Sequence, residues 1–103
     1  MAENKNIEVI GNQALGMIET RGLVSSIEAA DAMAKASNVD LLNKRAIGGG
    51  YITVMVRGDV GAVRTALGAG RKAASKIGKV ISTRIIPGPH RDLENLLPDS
   101  TKK

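Results

Sequence analysis

The chain has 103 residues and a formal net charge of +5, with 43% hydrophobic residues but one tyrosine, no phenylalanine, no tryptophan and no cysteine. These values predict one compact domain with a purely aliphatic core, and they exclude disulfides, thiolate metal sites and a cysteine nucleophile. The longest apolar stretch without charge, residues 46–56, is too short to span a bilayer, and the N-terminus lacks an apolar secretory segment, so we expect a cytoplasmic protein.

The first half of the chain predicts a flexible extension, a strand and a helix. Residues 1–13 are polar and interpreted as an extension, and residues 14–20 are interpreted as a strand that ends at the turn Arg21-Gly22. Residues 23–37 are rich in alanine and predict a helix with an Asp31–Lys35 pair at the favourable spacing. The predicted buried stripe of this helix consists of Leu23, Ile27, Ala30 and Ala34.

The second half predicts a hairpin, a second helix and a last strand. Two strands, residues 39–47 and 51–57, flank the glycines, and Asp59 follows as a predicted N-cap whose side chain binds free backbone N–H groups. The predicted buried stripe of the second helix, which ends near Gly78, is Val63, Leu67, Gly70, Ala74 and Ile77. Residues 80–86 form the last predicted strand, which Pro87 ends.

The predicted order β-α-β-β-α-β indicates an α/β (α+β) fold of the ferredoxin-like kind, an antiparallel four-stranded sheet with two helices on one face. Leu93, Leu96 and Leu97 predict a short C-terminal helix, and residues 99–103 are predicted to be disordered. The small aliphatic core also favours homo-oligomerisation, because little apolar area can be buried within one copy.

Five segments carry a resemblance to a known family. They are ALGMIETRGL (residues 14–23), EAADAMAK (28–35), IGGG (47–50), VRGDVGAV (56–63) and IIPGPH (85–90). In this order and spacing they resemble the hexameric shell proteins of bacterial microcompartments, of the kinds that use propanediol and ethanolamine. The resemblance covers residues 14–98 as a single shell domain. It implies a non-enzymatic subunit that forms flat hexamers with a central pore and tiles into sheets.

The resemblance also assigns roles to residues and partners to the chain. Four residues would form the pore: Ile47, Gly48, Gly49 and Gly50. Four others would lie at the hexamer edge: Lys35, Asn38, Pro89 and His90. The implied partners are further copies of the chain, other shell proteins, enclosed enzymes and small polar metabolites that cross the pore. No cofactor, nucleic acid or membrane is implied.

Two positions depart from the family pattern. Gly88 stands where the family often has arginine between two prolines, and Ala46 stands where it often has lysine before the pore isoleucine. The first departure predicts a weaker edge contact, with sheets that are more sensitive to salt. The second predicts a less basic pore mouth.

Each motif also has an interpretation that needs no shell. The three glycines suit a plain hairpin turn, since glycine accepts positive φ. The segment GAGRKA, residues 68–73, imitates a dinucleotide-binding motif, but it lies inside a predicted helix and is better explained by close helix packing. His90 is the only histidine, and no acidic pair completes a catalytic or metal site around it.

The basic composition leaves other functions open. A small ferredoxin-like module could bind nucleic acid or sense a metabolite, but RNA-binding domains of this topology stack bases on several aromatic side chains and this chain has only Tyr51. The basic residues are scattered rather than clustered in sequence, which is typical of a solvated surface. An enzyme is the least favoured class.

Overall fold

The computed structural model of the chain describes residues 13–88. Six elements follow in the predicted order: β1 (Gln13–Arg21), α1 (Leu23–Ala36), β2 (Asp40–Gly48), β3 (Tyr51–Asp59), α2 (Val60–Ser75) and β4 (Lys79–Pro87). The strands form one antiparallel sheet in the order β2-β3-β1-β4, and the two helices pack against each other and against β1 and β3. The ferredoxin-like arrangement is therefore confirmed. Gln13, predicted as the last residue of the extension, is instead the first residue of β1, where it pairs with Asp59. The rest of the predicted extension, the C-terminal helix and the tail lie outside the described residues, as do Pro89 and His90.

The core lies between the sheet and the two helices, and it is aliphatic as the composition requires. Its largest fully buried members come from the two central strands and both helices: Ile18, Val54, Val56, Val63 and Met33. Small residues fill the remaining volume, among them Ala14, Ala29, Ala66 and Ala74. Because alanine occupies so many positions, the helices can lie close to the sheet and to each other.

The predicted buried stripe of α1 is wrong at three of its four positions; Ala30 is partly buried against the core, whereas Ala34 is exposed. The buried residues of the helix are Ser25, Ser26, Ala29 and Met33. Leu23 and Ile27, which we expected inside, are 57% and 46% exposed. The physical reason is close packing: the face that meets α2 carries the small residue Ala29 opposite Gly70, and a leucine or isoleucine there would hold the helices apart.

The predicted stripe of α2 is correct at Val63, Leu67, Gly70 and Ala74, all of which are buried. It is wrong at Ile77, which is 51% exposed because it lies in the turn beyond the end of the helix. Asp59 occupies the N-cap position as predicted, but its side chain makes no capping hydrogen bond. Asp59 instead lines a cleft that Arg57 also lines.

Candidate functional site

The three consecutive glycines form the tip of the β2–β3 hairpin. Gly48 pairs with Tyr51, so Gly49 and Gly50 make a two-residue turn. The φ angles of the glycines at positions 48, 49 and 50 are 96°, 63° and 82°. Positive φ at both central residues is the type I′ geometry that suits the twist of a hairpin. The backbone thus requires glycine, or a residue that tolerates the left-handed region, at each position.

The hairpin tip stands clear of the rest of the chain. A Cβ atom added at Gly48 or Gly50 would meet nothing within 4 Å, while one at Gly49 would lie 3.3 Å from the ring of Tyr51. Ile47, which precedes the glycines, is 54% exposed. The space around the tip is therefore open to another molecule, and the described residues on the body of the domain do not fill it.

Two contacts from the end of β1 fix the hairpin tip to the body of the domain. The backbone N–H of Gly22 donates to the carbonyl of Gly50 over 2.7 Å. The guanidinium of Arg21 lies 5.9 Å from the centre of the Tyr51 ring, a cation–π contact worth about 0.5–1 kcal/mol at an exposed site. This support of the hairpin tip was not predicted from the sequence, although the Arg21-Gly22 turn at the end of a strand could have indicated it.

Lys35 lies in the last turn of α1 and is not free in the single chain. Its Nζ atom lies 3.1 Å from a carboxylate oxygen of Asp31, with the two side chains 76% and 56% exposed. The predicted i, i+4 ion pair is confirmed, and at this exposure it contributes a few tenths of a kcal/mol, on the order of 0.3. Both groups remain accessible to a partner.

The turn that follows α1 holds Asn38 on a rigid base. Ser37 donates from its Oγ atom to the carbonyl oxygen of Ala62 over 2.6 Å, which ties the end of α1 to the start of α2. A Cβ atom on Gly58 would lie 3.0 Å from the Asn38 carbonyl oxygen, so glycine at this position permits the close approach. This role of Gly58 was not predicted from the sequence.

Asn38 opens onto a polar cleft. The cleft has a volume of about 410 Å³, and two carboxylates line it, those of Asp40 and Asp59. Arg57 lies in the same cleft and is the cross-strand partner of Asp40. The cleft therefore offers acceptors of hydrogen bonds beside Asn38, and this feature was not predicted from the sequence.

Among the predicted site residues that the structure describes, the glycine tip lies at one end of the sheet, and Asn38, which follows the end of α1, lies at the other. The strand pair β1–β3 ends with Gln13 opposite Asp59 at one end and Arg21 opposite Tyr51 at the other, about 27 Å apart at the usual rise of an extended strand. Gly88, which donates its N–H to the Gln13 carbonyl over 3.1 Å, also lies at the Asn38 end. The subunit thus has a glycine tip at one end and a polar edge at the other.

Within residues 13–88, no group of three His, Cys, Asp or Glu side chains is placed to hold a metal ion. Neither of the two described helices has the length and apolar character needed to cross a membrane.

Comparisons with known proteins agree on one family. The family described as BMC domain matches residues 14–89. The bacterial microcompartment shell protein EutM of Salmonella typhimurium is 57% identical over 90 residues, which cover 87% of this chain and 94% of the relative. The bacterial microcompartment shell protein PduA of Citrobacter freundii is 55% identical over 84% of this chain and 92% of its own length. The major carboxysome shell protein CsoS1A of Halothiobacillus neapolitanus is 54% identical, over 82% and 88% respectively.

A solved structure shares the fold as well. The crystal structure of a microcompartment protein from Desulfitobacterium hafniense superposes with a TM-score of 0.72 at 36% sequence identity. The match covers 79% of this chain but 44% of that protein, so the present chain spans less than half of its length.

Proposed function

Because the chain belongs to the BMC domain family, it is a non-enzymatic structural subunit of a bacterial microcompartment shell, and we propose that six copies form a ring around a central pore. Self-association and contact with other shell components belong to this role. The finer proposal adds three points: the hairpin tips line the pore, the edge at Lys35 joins rings into sheets, and small polar metabolites reach enclosed enzymes through the pore.

The observation that carries the pore proposal is the exposed glycine tip. Three residues without side chains end a hairpin that is anchored to the domain, and no described residue would lie within 4 Å of a Cβ added at Gly48 or Gly50. Six such tips can approach a common axis closely, since no side chains keep them apart. Their backbone N–H and C=O groups would then line the aperture and replace part of the hydration of a polar solute.

Charge around the hairpin supports passage of anions rather than cations. Arg21 lies across the sheet from both Tyr51 and Lys79. Two residues further along β3, Thr53 pairs with Arg45 on one side and Glu19 on the other, so the positive charges around the hairpin outnumber the negative one. A ring of six copies would repeat these positive charges around the aperture, which raises the local concentration of anionic solutes. Ala46 contributes no charge of its own, so the field comes from the strands behind the tip.

The ring itself is tested by mass and by imaging. Six chains of 10.8 kDa give about 65 kDa in multi-angle light scattering at micromolar concentration. Negative-stain electron microscopy of concentrated protein is expected to show hexagonal sheets or tubes built from rings. A monomer or dimer at these concentrations would contradict the proposal.

The pore is tested by Gly49→Leu with Gly49→Asn as its control. Asparagine accepts positive φ at moderate cost and leaves the tip polar, whereas six leucines would fill the aperture with apolar groups. We expect both variants to form rings and only the leucine variant to slow the entry of a polar solute into assembled shells. Equal entry rates with a crystal structure that shows leucines closing the axis would exclude this route.

The edge is tested by Lys35→Asp with Lys72→Asp as the matched control on the other helix. A lysine at this edge can donate to acceptors of a facing copy, and the cleft beside Asn38 offers the carboxylates of Asp40 and Asp59 to it. Aspartate removes the donors and repels those carboxylates. We expect intact rings that no longer form sheets, while Lys72→Asp keeps its sheets. Sheets of unchanged order from the Lys35 variant would refute the assignment.

A further inference from the structure

A groove lies between α2 and the outer strand β4. Its volume is about 380 Å³, and three arginines line it: Arg64 and Arg71 from the helix and Arg84 from the strand. Leu67 and Ile85 supply apolar surface between them. A volume of this size is typical of sites for small molecules, which combine apolar walls with a few charged groups.

The groove lies on the basic side of a charge-asymmetric subunit. Residues 13–59 contain five basic and five acidic residues, whereas residues 60–88, which form α2 and β4, contain six basic residues and no acidic one. Among the described residues, none of the three groove arginines forms an ion pair with a carboxylate. Like charges around one groove repel each other, so a bound anion would relieve an electrostatic cost that no carboxylate among residues 13–88 offsets.

Gly68 creates the room between the two helical arginines. It follows Arg64 by four residues and precedes Arg71 by three, so all three lie on one face of α2. A Cβ atom at Gly68 would meet nothing within 4 Å, and no positive φ explains the glycine there. Glycine in a helix interior costs about 1 kcal/mol relative to alanine, and the backbone geometry of α2 does not require it.

We propose that this groove binds a small organic anion, a phosphate ester or carboxylate with a short apolar body. The guanidinium groups of Arg64 and Arg71 present paired N–H donors that match two oxygens of a phosphate or carboxylate group. The hydroxyl of Thr83 adds a further donor at the β4 side. Leu67 and Ile85 contact the apolar body. The proposal does not depend on the pore, because the groove lies on the flank of the sheet rather than at the hairpin.

The test is a titration of the assembled protein with four probes. Isothermal calorimetry measures the affinity, and amide chemical shifts locate the binding site. The probes are inorganic phosphate, butyl phosphate, butyrate and butan-1-ol. We expect butyl phosphate to bind about tenfold more tightly than inorganic phosphate, and butyrate to bind at the same groove. The neutral alcohol has no charge for the arginines and is expected to give no binding. Shifts should be confined to the middle of α2 and to β4.

Variants in the groove separate a site from a diffuse basic surface. Arg64→Gln and Arg71→Gln are each expected to weaken butyl phosphate about tenfold, while Lys72→Gln, which removes the same charge next to the groove, changes it less than about twofold. Gly68→Asp places a carboxylate between the arginines and is expected to abolish binding with every arginine still present. Gly68→Ala keeps the site and controls for the loss of glycine.

Three outcomes would overturn the proposal. Equal weakening by Lys72→Gln and Arg71→Gln would show a diffuse basic surface. Unchanged affinity in Gly68→Asp would place the anion elsewhere. Failure of assembled protein to bind, combined with dissociation of the ring in Arg64→Gln, would make the groove an interface between copies. That last result would rule out the anion site and leave the shell function intact. Absence of rings in the unmodified protein would rule out the proposed ring and leave the anion site intact. The two hypotheses therefore fail separately.

Discussion

Replacing Gly70 by alanine should destabilise the protein, although alanine favours a helix more than glycine does. Gly70 faces α1, where an added Cβ would lie 2.7 Å from Cγ and 3.2 Å from Sδ of Met33, and 3.3 Å from the Ala29 carbonyl oxygen. Met33 is fully buried, so it cannot move into solvent to make room. Overpacking of this kind costs about 1–3 kcal/mol.

Gly68 provides the comparison that isolates this packing cost. It lies in the same helix and a Cβ there meets nothing within 4 Å, so Gly68→Ala should gain the full helix preference of about 1 kcal/mol. Both substitutions gain this helix preference, so it cancels when their free energies of unfolding are subtracted. The free energies of unfolding of the two variants should therefore differ by about 1–3 kcal/mol, with Gly70→Ala less stable than the original chain or close to it.

The assay is urea unfolding followed by far-ultraviolet circular dichroism at one fixed protein concentration, since association contributes to the apparent stability. Light scattering checks that both variants keep the original oligomeric state. In a chain that already carries Met33→Ala, the contact with Cγ is absent. Adding Gly70→Ala to that variant should therefore cost much less free energy of unfolding than it costs in the original chain. Variants at 68 and 70 that agree within about 0.5 kcal/mol would refute the close-approach argument.

Three further predictions concern local contacts. Ser37→Ala removes the hydrogen bond to the Ala62 carbonyl and should cost about 0.5–1.5 kcal/mol in urea unfolding, whereas the exposed Ser75→Ala should change stability by less than about 0.5 kcal/mol. Gly49→Ala should lower the unfolding free energy by about 1–2 kcal/mol, because φ is 63° there; an equally stable variant would contradict the turn geometry. Asp31→Asn should lower it by no more than about 0.5 kcal/mol, and that difference should vanish in 1 M salt, as measured by thermal melts.

The order of elements and the topology were predictable because each strand and helix has its own local signal. The alternation of Ile52, Val54 and Val56 marks a strand, and the triple glycine between two such segments marks a hairpin. All three alternating residues are buried in the sheet as expected. These signals depend on neighbours in sequence, so one sequence is enough to read them.

The buried face of α1 and the support of the site were not predictable in the same way. Alanine occurs on several faces of that helix, so the side that meets Gly70 is decided by packing between helices that are distant in sequence. The Ser37–Ala62 hydrogen bond joins residues 25 positions apart, and the Gly22–Gly50 bond joins the ends of different strands. Residue types alone do not specify such pairings. The roles of Lys35, Asn38 and the glycine tip came from the family resemblance and remain predictions.

Within residues 13–88, the two outer strands, β2 and β4, each have one row of backbone N–H and C=O groups without a strand neighbour in the sheet. Such edges can recruit strands from other molecules and start fibrils. Here the pairing of β2 with β3 shifts register twice, near Leu41 and near Ala46. Each outer strand also contains one lysine and one arginine. Shifted register and charge disfavour an added strand. Copies of this chain are therefore disfavoured from joining edge to edge as a continuous β-ladder, even where they are concentrated together.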